Sequence, residues 1–152
     1  MSAHFSISEL THSSTADRLG LDNTPNDKQR ANLEELANAL EGLRTGWADY
    51  CKSNMLSGGV GIIVTSGLRT LKVNQAVGGA SNSAHLYGCA ADLKPANGLQ
   101  SNFEFYVSKV YARSGAKYDQ IIIEKSKSAR WVHFGYKRPS KGQRMACFNL
   151  SV

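Results

Sequence analysis

Ser83-Ala-His85-Leu-Tyr-Gly88-Cys-Ala90-Ala91-Asp92 is the stretch on which the reading turns. It follows a turn-rich segment, GGASNSA at 78–84, and runs into a strand candidate of small residues, Cys89–Leu93. His85 and Asp92, seven residues apart, offer an imidazole nitrogen and a carboxylate oxygen. A distant histidine, His133, lies between Val132 and Phe134 in a second strand candidate. Neutral imidazole and carboxylate suit a zinc ion, and three protein ligands leave a fourth position for water. Such a position is what hydrolysis needs, because the metal acidifies water and polarises a carbonyl. The spacing alone does not single out a metal site, since a strand histidine is more often a buried, satisfied residue. His4 and His12 lie in a polar N-terminal stretch and read as surface residues.

Outward from this stretch, hydrophobic patterning supplies the frame. Leu33, Leu36, Leu40, Leu43 and Trp47 recur at spacings of three and four, which predicts an amphipathic helix over 25–50. Thr24 reads as its N-cap and Pro25 as its first residue. Val60–Thr65 is a β-branched run and reads as a buried strand. Thr70 opens a short helix that stops at Gly78-Gly79. Ser101-x-x-Glu104 reads as a capping box, opening a helix with Phe103, Val107 and Val110 inward. Asp119–Glu124 (DQIIIE) and Arg130–Gly135 (RWVHFG) read as a hairpin, with Met145–Leu150 as an edge strand. Residues 1–24 are expected to wrap the domain as loops and a short helix. Helices and strands do not alternate regularly, so the expected class is α+β: one domain over 1–152, a mainly antiparallel sheet flanked by helices.

Composition narrows the function. With 152 residues, 41% hydrophobic and 20% charged, the chain suits a single core and leaves no room for a separate cofactor domain. The absence of an eighteen-residue apolar window excludes a spanning helix, and no membrane insertion is expected. The N-terminus shows no charged region followed by an apolar run, so synthesis in a cytoplasm without a signal peptide is expected. Three cysteines without a CxxC pair argue against a disulfide framework or a thiolate zinc site. Between Lys109 and Arg144 ten Lys or Arg face only Asp119 and Glu124, although the whole chain carries only +6. That basic third favours an anionic partner. Aromatic interleaving is sparse and no nucleic-acid motif is present, so nucleic acid is not expected.

The stretch 83–92 resembles the SxHxxGxAxD signature of the zinc D-Ala-D-Ala carboxypeptidase and L-Ala-D-Glu endopeptidase family, which includes many phage endolysins. Thr65-Ser66-Gly67-Leu68-Arg69 is similar to the family's SGYR segment, with Leu68 where Tyr is usual. Asn74–Ala80 is similar to its N-x-x-VGGA stretch, and Trp131-Val132-His133 to its closing WVH. Asp119-Gln120, Ile123 and Glu124 resemble the run that precedes it. Phe5–Pro25 (FSISEL…DNTP) resembles the N-terminal segment of prophage-encoded members.

The resemblance implies the small α+β fold shared with the hedgehog signalling domain. It implies one zinc ion, Zn2+, on His85, Asp92 and His133, and hydrolysis of a peptide bond in peptidoglycan stem or cross-link peptides. Gly88, Ala90 and Ala91 are expected to let the chain pass close to the metal. Arg69 would bind substrate or stabilise the oxyanion. Ser83 and Trp131 are expected beside the substrate, with Tyr87 as a further wall and Cys89 as packing. Many members carry an acid three residues before the last histidine, and here that residue is Arg130. The nearest acids are Asp119 and Glu124. A hairpin register placing 124 opposite 133 would aim Glu124 at the metal as general acid and base. The competing reading is a non-catalytic zinc domain of the wall or virion that lost its base, with Arg130 in its favour. A monomeric phage-type lytic enzyme, released to the wall by a holin or delivered in a virion, is the expected biology.

Overall fold

The computed structural model describes residues 2–152. A long helix, α3 (Asp27–Ser53), carries the predicted stripe: Leu33, Leu36, Leu40, Leu43 and Trp47 are all fully buried. It starts two residues later than Pro25, because Asn26 rather than Thr24 is the cap. The Asn26 side chain accepts from the Gln29 N–H at 2.8 Å, and the Gln29 side chain accepts from the Asn26 N–H at 2.9 Å. The N-terminal segment forms two short helices, α1 (Ile7–Thr11) and α2 (Ser14–Leu19), capped by Ser6 and Ser13. Phe5 and Leu10 seat this segment in the core.

Five strands make one sheet: β1 (Ile62–Ser66), β2 (Ala90–Pro95), β3 (Gln120–Lys125), β4 (Arg130–Gly135) and β5 (Ala146–Ser151). Their order is β1-β2-β4-β3-β5, and every pair is antiparallel except β3 with β5. Side chains alternate between faces. Ala91, Leu93, Ile121, Ile123, Val132 and Phe134 join the core that α3 covers. Asp92, His133, Ile122 and Glu124 therefore point to the other face. This is the expected α+β class, a five-stranded mixed sheet flanked by helices.

Two further helices follow, α4 (Leu71–Ala76) and α5 (Gln100–Phe105). The expected capping box at Ser101 does not form: α5 begins at Gln100, and no side chain caps it. Glu104 is instead engaged by Gln100 at 2.9 Å and by Arg130 at 3.0 and 2.6 Å. Beyond α5 the chain makes one π turn, Tyr106–Val110. That wider turn advances the helical phase. Tyr111 takes the inward place assigned to Val110, which is exposed. Among the described residues, no helix is long and apolar enough to cross a membrane.

Candidate metal centre

His85 lies in a short 3-10 turn, Ala84–Tyr87, whose first N–H groups need an acceptor. Ser83 Oγ supplies it, accepting from the His85 N–H at 3.2 Å. Gly88 ends the turn at φ +71°, a conformation that favours glycine. A Cβ there would also stand 2.8 Å from the Gln29 carbonyl oxygen of α3. The small residues Gly88, Ala90 and Ala91 are each closely packed in this structure. Gly88 makes room for α3, Ala91 belongs to the main core, and Ala90 packs with Ala84 and Cys89.

The buried His85 ring is oriented by a backbone carbonyl. Its Nδ1 lies 2.7 Å from the Gly67 oxygen, which can only accept, so Nδ1 carries the proton. Gly67 in turn passes so close to α1 that a Cβ on it would meet the Leu10 oxygen at 2.2 Å. His85 Nε2, the ring's other nitrogen, then faces Asp92 Oδ1, 3.4 Å away. His133 Nδ1 reaches the same oxygen at 3.3 Å, β2 and β4 pairing Asp92 directly with His133.

Asp92 Oδ1 is buried with no hydrogen-bond partner, and the three ligand atoms lie within 4.8 Å of one another. Burial by itself raises the Asp92 carboxyl. The charge of His85 and the contacts from both histidines outweigh it and hold the group well below the usual carboxylate range. Two zinc bonds of about 2.0–2.1 Å at a tetrahedral angle span about 3.3 Å between ligand atoms. The donor set and its spacing fit a zinc ion.

Glu124 joins the cluster, with Oε1 3.8 Å from His133 Nδ1. The register is not the expected one. Glu124 stands opposite Trp131, and Ile122 opposite His133. The offset is two residues, so parity is kept and Glu124 stays on the metal face. Burial, then the charge of Asp92, raises its carboxyl above the ordinary 4.5; His133, Arg69 and Trp131 pull the other way.

Arg69 is held by its backbone N–H, donated to the His85 carbonyl at 3.0 Å, and by Nη2, 3.3 Å from Ser83 Oγ. Its Nε is buried and unpartnered. Burial lowers its pKa against the charges of Asp92 and Glu124. The Arg69 segment is clamped by a residue the sequence reading missed. Asn23 accepts from the Thr70 N–H at 2.9 Å and donates to the Leu68 and Thr11 carbonyls at 2.9 and 2.7 Å. Only its place in the family-like N-terminal stretch pointed to it.

The other candidates fall as follows. Ser83 both turns the chain and touches Arg69. Trp131 is half-buried opposite Glu124, and Tyr87 is exposed beneath Arg138. Cys89 is buried, its thiol pushed up to about 12 chiefly by burial, and it stands outside the cluster. Asp119 is bound to Arg144 at 2.7 and 2.8 Å. Arg130 belongs to the opposite sheet face, where it binds Glu104, so it does not stand where a base would act. Beside His133 opens a cleft of about 280 Å³, lined in part by Ser83, Gln120, Ile122 and Arg138.

Two imidazoles and a carboxylate converging on one point of an open sheet face, with a second carboxylate beside them, define the class: a metallopeptidase. The chain belongs to the family Peptidase M15, whose family model matches residues 3–134. No curated protein matches it.

Proposed function

We propose that this protein hydrolyses a peptide bond in the stem or cross-link peptides of peptidoglycan, with zinc on His85, Asp92 and His133. The observation that carries the reading is Glu124, a half-buried carboxylate with raised proton affinity, 3.8 Å from one ligand. Bound there, zinc supplies Lewis acidity toward a carbonyl and toward water. Glu124 takes a proton from the attacking water as the new C–O bond forms. It returns that proton to the amine nitrogen as the C–N bond breaks. Arg69, fixed through Ser83 and the Asn23 clamp, faces the same point and offers N–H donors to the carbonyl oxygen or to a substrate carboxylate. Trp131, opposite Glu124, walls the substrate on that side.

The basic C-terminal third favours the anionic wall as the setting. A phage-type lytic role, with release by a holin or delivery in a virion, follows the resemblance of the N-terminal segment. The test is mass spectrometry of purified peptidoglycan digested by the protein, with chelator and with zinc restored. Fragments that vanish with chelator and return with zinc support the reading. Loss of terminal D-Ala marks a carboxypeptidase, and freed stem peptides an endopeptidase. Intact walls of several types, with zinc still bound, favour the non-catalytic wall-binding domain.

A further inference from the structure

The loop between β4 and β5 carries an arginine, Arg138, that forms no ion pair among the described residues. Two other arginines of the basic third are paired, Arg130 with Glu104 at 2.6 Å and Arg144 with Asp119 at 2.7 Å.

Arg138 is nonetheless held in place. Its backbone N–H donates to the Gly142 carbonyl at 3.2 Å and its carbonyl accepts from the Gly142 N–H at 2.9 Å, closing a tight turn. Its guanidinium lies 5.5 Å from the Tyr87 ring centre, and Nη2 donates to the Asn82 carbonyl. Its Nε is buried and has no partner. A donor taken out of water and left unpaired is costly unless something arrives to use it. Arg138 lines the cleft that His133 and Ser83 also line. Asn82 and Ser83 are consecutive, and Ser83 holds Arg69, whose Nε is likewise buried and unpartnered. One short segment thus fixes two guanidinium groups near the cluster, and only Arg69 was legible as a substrate arginine.

We propose that Arg138 is a specificity-determining residue that takes a free carboxylate of the substrate peptide in the cleft beside His133. This rests on the peptidase reading above. A guanidinium can hold a carboxylate through two parallel N–H donors, which a lysine cannot reproduce. The carboxylate has two possible sources: the C-terminal carboxylate of the peptide, or the α-carboxylate left free where a glutamate is linked through its side chain.

The experiment uses two acid/amide pairs of stem-type peptides, one pair for each source. Binding to the metal-free and zinc-loaded protein is measured by calorimetry, and cleavage as kcat/KM. For one pair, the wild type binds the acid about 10- to 100-fold more tightly than the amide, and that pair identifies the source. Arg138→Ala brings the ratio close to one, whereas Arg138→Lys restores only part of it. Arg138→Gln serves in place of alanine if the loop needs the longer stem. A wild type indifferent to amidation in both pairs, or an alanine variant that keeps the preference, overturns the assignment. Acid-selective binding without cleavage would overturn the peptidase reading while leaving Arg138 in its role. Cleavage indifferent to amidation would do the reverse.

Discussion

Glu124 and His133 are diagonal neighbours across the β3–β4 ladder, their side chains 3.8 Å apart on the face away from the core. Neither is opposite the other; Trp131 and Ile122 occupy the paired positions. The pleat makes this work, because residues two apart along a strand share a face. A carboxylate can therefore stand beside His133 although Arg130 occupies the position three residues before it.

Arg130 is predicted to be dispensable for chemistry. It is tied to Glu104 on the core side of the sheet, and its guanidinium is largely solvated. Arg130→Ala should leave kcat/KM within about twofold and lower the melting temperature only modestly. Steady-state kinetics and calorimetry on the variant check both parts. A collapse of kcat with normal folding would return Arg130 to the site.

Gly88 is predicted to be intolerant of any side chain. At φ +71° an L residue is strained, and the added Cβ would press on the Gln29 carbonyl at 2.8 Å and on Leu33 at 3.0 Å. Gly88→Ala should cost about 2 kcal/mol or more, and it should weaken zinc binding by shifting the turn that carries His85. Denaturant melts and zinc titration read the two effects separately.

The frame was legible because it rests on periodicity: the α3 stripe, the β-branched runs and the turn glycines each obey a local rule. What failed depends on partners distant in sequence. Glu104 satisfies the capping-box pattern with Ser101, yet Arg130, twenty-six residues on, claims it. Val110 falls outside the core because a π turn shifts the phase, and no pattern of apolar residues announces that turn. At the centre, His85, Asp92 and His133 were nameable from their motif, and the structure brings them together. The 124–133 register was set two residues off, because pattern fixes the face of a strand and not its pairing. Asn23 and Arg138 were missed because each acts through carbonyls or rings far along the chain.

Asp119 is predicted to give the protein part of its acid sensitivity. Burial alone would raise its carboxyl, but hydrogen bonds from Arg144 outweigh it and hold the group below its ordinary 3.8. A depressed carboxyl stabilises the fold above its unfolded pKa, and that contribution is lost as pH falls through the folded value. Asp119→Asn should cost about 1–3 kcal/mol near neutral pH and flatten stability below about pH 4. Urea melts between pH 2 and pH 7 measure the difference.

Metal removal should be visible as stability. His85, Asp92 and His133 converge within 4.8 Å around a buried Asp92 Oδ1 that has no hydrogen-bond partner, so a bound cation stabilises the folded state and has no such site in the unfolded chain. With free zinc about a thousandfold above its Kd, linkage contributes about 4 kcal/mol. For a chain of this size that corresponds to about 10 °C in Tm. Chelator should abolish the shift, and His85→Ala should never show it.

The most direct test sets Glu124→Gln beside His133→Ala on one stem peptide, with zinc content and turnover measured on the same samples. Glu124→Gln should keep one zinc per chain and lose turnover by about a hundredfold or more, while His133→Ala should lose the metal and the activity together. Turnover at the wild-type rate in Glu124→Gln, or full zinc content in His133→Ala, would contradict the assignment of base and ligand on which the mechanism stands.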